Sequence, residues 1–192
     1  YKRQVLYNCT KPVSKGLRNI GYIYNYDDID WDKVTYDETT PNIITALPMK
    51  EGKKGYKIAI PGKTPFTGTT TSMTEGTYRN NFTKSVAVVI LDAGPDVSHS
   101  IIDPMANGKF LVVLENQYQG TDKKNTFQVF GVEQGLSASA IESDKYSDDT
   151  QGGTSVTLQE TDAPTFAYYL FETDIAATRE MLESTLTVSP GE

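Results

Sequence analysis

Hydrophobic and polar residues alternate along much of the chain, a pattern that predicts half-buried β-strands. Tyr56, Ile58 and Ile60 share one side of such a strand. The run from Phe127 to Val132 is apolar on most of both faces, so we expect it to be covered on both sides. Apolar runs bounded by turn residues predict further strands at Ile20 to Asn25, Ile43 to Leu47, Thr77 to Leu91, Phe110 to Asn116, Leu136 to Ile141, Thr154 to Glu160 and Thr165 to Phe171.

Helical patterns are few and short. One helix is predicted between about 96 and 106, with its regularity limited by Pro104. A second runs from Ile175 to Glu183, where Thr173 or Asp174 can act as the N-cap. The elements together predict a mainly β fold, either a β-sandwich or a partly closed barrel, with two short helices.

The length of 192 residues is typical of one domain, so we expect residues 1–192 to form a single β-rich domain. Its amino-terminal segment, about 1–50, is expected to be extended. Residues 61–75 concentrate Gly, Thr, Ser and Pro, and this stretch predicts a long loop. Loops of that length in a compact domain serve a function or become ordered by a partner.

Composition supports strands, because the chain holds 24 threonines and 12 tyrosines, which suit pleated surfaces. The 18 basic and 25 acidic residues leave a net charge of −7, which argues against a general nucleic-acid binder. Charge is uneven: residues 1–96 carry 13 basic and 10 acidic groups (+3), and residues 97–192 carry 5 and 15 (−10). This asymmetry indicates either a solvated acidic surface or complementary faces in a head-to-tail assembly.

The longest apolar run, Val86 to Leu91, has six residues, whereas a membrane-spanning helix needs about 20. We therefore expect no association with a membrane. Cys9 is the only cysteine and permits no internal disulfide.

Catalytic signatures are weak throughout the sequence. His99 is the single histidine, and no nucleophile motif surrounds it or Cys9. The sequence Gly62-Lys63-Thr64 lacks the first glycine of a phosphate-binding loop, since Lys57 stands at that position. We therefore expect no enzymatic activity, no catalytic residue and no cofactor.

Asp28, Asp30 and Asp32 have the alternate spacing that opens a calcium-binding loop. The sixth position of that loop, normally glycine, is Lys33, and the twelfth, normally glutamate, is Thr39. Two interpretations stay open: a weak, irregular cation site, or exposed acids with no ligand.

A family resemblance gives a more specific hypothesis. The residues that carry it are the strand, helix and returning strand within Phe82 to Glu115, the run Phe127 to Gly131 leading to Gly135-Leu136, the strand Ser155 to Leu158 after Gly152-Gly153, and Thr178-Arg179 in the last helix. On these features the stretch from about Asn80 to Glu183 resembles virion structural proteins of tailed bacteriophages, in particular the tail tube family. The amino-terminal run Gly21 to Asp30 is similar to sequences from phages of Bacteroidetes hosts.

The resemblance implies a subunit that closes into rings and stacks them into a tube, inside a virion assembled in the host cytoplasm. Its partners would be itself and other virion proteins, and DNA would pass through without specific binding. Neck, terminator and decoration proteins of the virion fit the same features. The residues expected to support self-assembly are Tyr22, Tyr24, Tyr26, Trp31, Phe66 and Met73.

A carbohydrate-binding or adhesive β-sandwich is the alternative from a different class. In that case Tyr22, Tyr24, Tyr26 and Trp31 would present aromatic faces to a sugar. Packing within a core or an interface is the competing role for these four side chains.

Overall fold

The computed structural model describes residues 9–187, and its strands form two sheets. The strands β1 to β11 span Leu17–Asn25, Thr35–Tyr36, Ile43–Ala46, Tyr56–Ala59, Phe66–Thr74, Asn81–Ile90, Phe110–Asn116, Phe127–Phe130, Ser137–Ser143, Thr154–Ala163 and Tyr168–Leu170. A seven-stranded sheet has the order β2-β3-β11-β8-β7-β1-β4, and a four-stranded sheet has the order β5-β6-β10-β9. Neighbouring strands are antiparallel except for β3 and β11, which are parallel.

Two helical regions accompany the sheets. The first joins α1 (Pro95–Val97), a π-helical turn (Ser98–Ile102) and α2 (Asp103–Asn107) without a break. The second is α3 (Ile175–Ser184), whose N-cap Asp174 accepts a 2.8 Å hydrogen bond from the backbone N–H of Ala177. The prediction of two short helices is confirmed, and the irregularity of the first matches the position of Pro104.

A hydrophobic core fills the space between the two sheets. The four-stranded sheet contributes Phe66 and alternate residues of its inner strands, such as Val86 and Leu158. The seven-stranded sheet contributes residues that include Val112 and Leu114. The mainly β sandwich is therefore confirmed, and the barrel alternative is wrong, because the strands form two separate sheets that do not close on themselves.

The seven-stranded sheet is also covered on its other face. There Leu111 and Val113 pack with Leu182 of α3 and with Ile29 and Leu47 from the segments after β1 and β3. The strand predicted at Phe127 to Val132 lies in the middle of this sheet, and its residues enter both cores. That expectation of cover on both faces is confirmed.

Several strand boundaries differ by one to three residues from the sequence prediction, and two differences are larger. The expected loop at 61–75 is wrong in its larger part, because Phe66–Thr74 forms β5 and pairs with β6 from Gly68↔Ala87 to Thr74↔Asn81. The strand predicted from Thr77 begins at Asn81, since residues 75–80 make the turn between β5 and β6. Within the amino-terminal segment expected to be extended, the described residues contain β1, β2 and β3.

Because Tyr24 is buried, we expect the free energy of unfolding to depend on pH in the alkaline range. Its side chain is fully buried, and this burial raises the pKa of Tyr24 to about 12. In the unfolded chain this phenol ionises near pH 10. The stabilisation of the folded state by the neutral, buried phenol is therefore complete below about pH 10, and it is lost as the pH rises towards 12. We expect unfolding in urea to show a loss of about 2 to 3 kcal/mol across this window.

The variant Tyr24→Phe keeps the packing and removes the ionisable group, so it should lose less stability over the same pH range. Burial also raises the pKa of Tyr22, next to Glu183, and this group adds to the remaining alkaline loss. Equal losses in the variant and the parent chain would contradict the assignment to Tyr24.

Candidate functional site

The four-stranded sheet ends in two long strands, and α2 packs beside one of them, β9. Its outer strands are β5, with nine residues, and β9, with seven. The edges of the larger sheet are shorter, since β2 has two residues and β4 has four. Natural proteins protect sheet edges with short strands, prolines or charges, because free N–H and C=O groups pair with other chains. β5 contains neither a proline nor a charged residue, and β9 contains one charge, Glu142.

The outer face of this sheet carries mainly small or polar side chains, with Val89 as its one large apolar residue. Val86 and Leu158 point into the core, so the residues that alternate with them face away from it. These outward residues are Gly68, Thr70, Ser72, Thr74, Asn81, Thr83, Ser85, Ala87, Val89, Ser137, Ala140, Glu142, Ser155, Thr157 and Gln159. Thr70 and Ser85 share a 2.6 Å hydrogen bond across β5 and β6. Glu142 is the single charged side chain in this set.

An apolar cleft of about 740 Å³ opens at the end of the sandwich where β6 finishes. It lies between β4, the end of β6 and the helical segment 95–107. Tyr56, Leu91 and Ile101 line it and are themselves exposed by 55%, 52% and 41%. Lys57 and Asp92 supply the charged groups of its lining.

The opposite end of β6 carries a projecting turn, residues 75–80, between β5 and β6. Tyr78 in this turn is 100% exposed. It stands between Glu75 and Arg79, and Met73 beside the turn is also exposed. The ten residues of β6 place the turn roughly 30 Å from the cleft.

The residues predicted for self-assembly fall into three groups. Tyr22, Tyr24 and Phe66 are buried in the chain's own core and not on its surface, as self-assembly would need. For Tyr22 and Tyr24 the same burial leaves no aromatic face for a sugar. Tyr26 and Trp31 pack against each other with ring centroids 4.7 Å apart, and Trp31 Nε1 donates to the Tyr26 carbonyl. Met73 is the one residue of this set that lies exposed on an open edge strand.

The aspartates with calcium-loop spacing face lysines instead of one another. Lys53 lies 3.2 Å from Asp28, and Lys33 lies 2.6 Å from Asp30. A hydrogen bond from Asn25 lowers the pKa of Asp28. Across residues 9–187, no group of three or more His, Cys, Asp or Glu side chains is arranged to hold a metal ion. These contacts favour the interpretation as surface acids.

Sequence reasoning missed the edge strand β5 and the exposed Tyr78. Both have polar or glycine-rich neighbours, so the local pattern resembles that of any loop. Sequence reasoning also missed an inward-facing lysine, Lys84, which is 1% exposed. The sequence does indicate the burial of Lys84, because alternation along the strand places Lys84 on the same face as Val86 and Val88.

In comparisons with known proteins, the chain matches no protein-family model, no curated protein and no solved structure. Within the described part of the chain, none of the helices has the length and apolar character needed to cross a membrane.

Proposed function

We propose that the protein is a non-enzymatic structural subunit that joins copies of itself into rings, which stack into the tail tube of a bacteriophage virion. The observation that carries the proposal is the pair of outer strands on a single sheet, β5 and β9, each of which pairs with only one other strand of the described chain. On this proposal the chain is assembled in the cytoplasm of the bacterial host. Its other partners are further proteins of the virion.

The strand order is compatible with ring closure. Along β5-β6-β10-β9 every neighbouring pair is antiparallel, so β5 and β9 run in opposite directions. When identical chains are related by rotation about one axis, β9 of one copy therefore meets β5 of the next as an antiparallel pair. Such a head-to-tail contact closes into a ring when the rotation allows it.

The outer face of the sheet suits a passage for DNA. Ring closure through these edges leaves one face of the sheet against its own core and the other towards open space. The outward residues include no lysine or arginine, and Glu142 is their one charge. A surface without cations offers no neutralisation of phosphates, and so it gives no electrostatic binding to DNA.

Stacking has a matching pair of surfaces at the two ends of β6. The turn 75–80 projects an exposed tyrosine between one acidic and one basic residue. The cleft at the other end is apolar and contains one basic and one acidic residue. Insertion of the turn into the cleft of the next ring would bury Tyr78 and pair opposite charges.

The proposal is tested by negative-stain electron microscopy of the purified chain at rising concentration. We expect rings or tubes.

Proline variants of β5 test whether its edge makes the contact. Successive N–H groups of a strand point to opposite sides, so one of Thr70 and Thr71 directs its N–H away from β6. A proline at the position whose N–H bonds to β6 should disturb the fold, whereas a proline at the other position removes only the N–H that faces away from β6. We therefore expect one of the variants Thr70→Pro and Thr71→Pro to stay folded, and this variant should form no rings.

Proline substitutions in β4, Lys57→Pro and Ile58→Pro, provide the matched control, because β4 is an edge of the other sheet. The folded member of this pair should still form rings. Dispersed monomers of the parent chain at every concentration would contradict the proposal. They would favour a binding module, or a neck, terminator or decoration protein that assembles only on its partners.

A further inference from the structure

A lysine and a glutamate lie face to face in the sandwich, and both side chains are buried. Lys84 on β6 and Glu160 on β10 are direct cross-strand neighbours, and their side chains are 1% and 0% exposed. Lys84 Nζ lies 3.4 Å from Glu160 Oε2. Among the described residues, neither of these two atoms has a hydrogen-bond partner. A buried ion pair normally needs further hydrogen bonds to compensate for lost hydration, and Lys84 Nζ and Glu160 Oε2 make none.

The second oxygen of Glu160 has a different environment. Glu160 Oε1 accepts hydrogen bonds from the backbone N–H groups of Glu133 and Gln134, at 3.0 and 2.7 Å. Two convergent backbone donors at this distance form the arrangement that stabilises an oxyanion during acyl transfer. One carboxyl group is thus held by two N–H donors on one oxygen, with an amine beside its other oxygen.

The Tyr168 ring lies beside the lysine of the pair. Lys84 Nζ lies 5.5 Å from the centre of this ring, and the Tyr168 hydroxyl donates to Glu133 at 3.0 Å. The near-complete burial of both charged side chains excludes bulk solvent, which would otherwise solvate both charges and compete with the amine.

From this geometry we infer that Lys84 and Glu160 condense to an isopeptide bond within the chain. A proton first passes from the Lys84 ammonium to Glu160 Oε2, which leaves a neutral amine and a neutral acid. The amine lone pair then attacks Cδ of Glu160, and the negative charge on Oε1 is held by the two backbone N–H groups. The bond from Cδ to Oε2 breaks, and the hydroxyl leaves as water with a second proton from the nitrogen.

The reaction balances without any further reactant. One ammonium and one carboxylate give one amide, which keeps the third nitrogen proton, and one molecule of water; nothing is oxidised or reduced. It replaces two buried charges by a neutral group, and so removes the cost of burying them. The inference does not depend on self-assembly.

Intact-mass spectrometry of the whole, denatured chain tests the cross-link. We expect a mass lower than that of the sequence by one water molecule, and a peptide map that joins the segments containing Lys84 and Glu160. The full sequence mass would overturn the inference. Loss of water located at any other residue would overturn it too.

Variants separate the chemistry from folding. Lys84→Arg keeps the charge and removes the nucleophile, so it should have its full mass. In Glu160→Gln the same attack would release ammonia, so a folded variant should be lighter by one ammonia instead of one water. Circular dichroism identifies the variants that are folded.

The matched control is the ion pair of Lys57 and Glu183. Its atoms are closer, at 3.1 Å, but both side chains are 41% exposed. Peptide mapping should find no cross-link there, and Lys57→Arg should leave the loss of water unchanged. A cross-link at both pairs would contradict the role assigned to burial and to the two N–H donors.

Discussion

The double substitution Arg18→Met with Arg179→Met is expected to destabilise the protein by about 3 kcal/mol, because it leaves a buried carboxylate without a counter-charge. Glu115 on β7 has a side chain that is 2% exposed. Arg179 of α3 donates to its Oε1 at 2.7 Å, and Arg18 of β1 lies 3.4 Å from the same atom. Both arginines are partly exposed, so the expected loss lies at the lower end for a broken buried pair. Urea unfolding measures the loss.

Two controls accompany this measurement. Lys57→Met breaks the exposed pair with Glu183 and should cost less than about 1 kcal/mol. The triple variant that adds Glu115→Leu removes the unpaired charge, so most of the lost stability should return. A triple variant as unstable as the double one would show that lost packing, including the contact of Arg179 with Phe127, causes the effect.

Gly131→Ala is expected to lower the free energy of unfolding by about 3 kcal/mol, or the melting temperature by roughly 6 to 12 °C. Gly131 has φ +86°, and an added Cβ would lie 2.6 Å from the carbonyl oxygen of Phe110. That oxygen accepts the backbone N–H of Leu136, in a bridge that leads the chain from β8 towards β9. The backbone must therefore move at the point where the chain passes between the two sheets. Thermal unfolding by circular dichroism measures the shift.

Gly52→Ala is the matched control for this substitution. Gly52 has a similar φ of +74°, but an added Cβ meets no atom within 4 Å. Its expected cost is the conformational strain alone, about 1 kcal/mol. Similar losses in the two variants would show that the close approach to Phe110 has little energetic importance.

Strands that are buried on one or both faces could be predicted from the sequence. Phe110–Asn116 and Phe127–Phe130 carry large apolar residues, and turn residues bound them. α3 was predicted because Asp174 supplies a cap before a helical pattern. β5 could not be predicted in this way, because threonine and glycine on both of its sides give no alternation. Pairing with β6 fixes its conformation.

The candidate site was harder to predict, because an edge is a property of the strand order and not of a segment. Tyr22 and Tyr24 are aromatic, and for this reason the sequence analysis assigned them to an assembly surface. Ile23 lies between them, so the stretch is apolar on both faces, which is typical of a strand inside a sheet. The strand β1 does lie between β7 and β4. The positions of Lys84 and Glu160 on adjacent strands likewise follow from long-range pairing.

The strand order of the larger sheet also determines when it can form. β3, at Ile43–Ala46, lies between β2 and β11, and β11 spans Tyr168–Leu170. During synthesis β3 has no inner neighbour until almost the whole chain has emerged, whereas β5 and β6 form a local hairpin. Non-local pairings of this kind slow folding, typically to milliseconds or seconds. The hairpin with the open edge is therefore available before the sheet that supports it is complete, which makes the nascent chain prone to premature pairing with its neighbours.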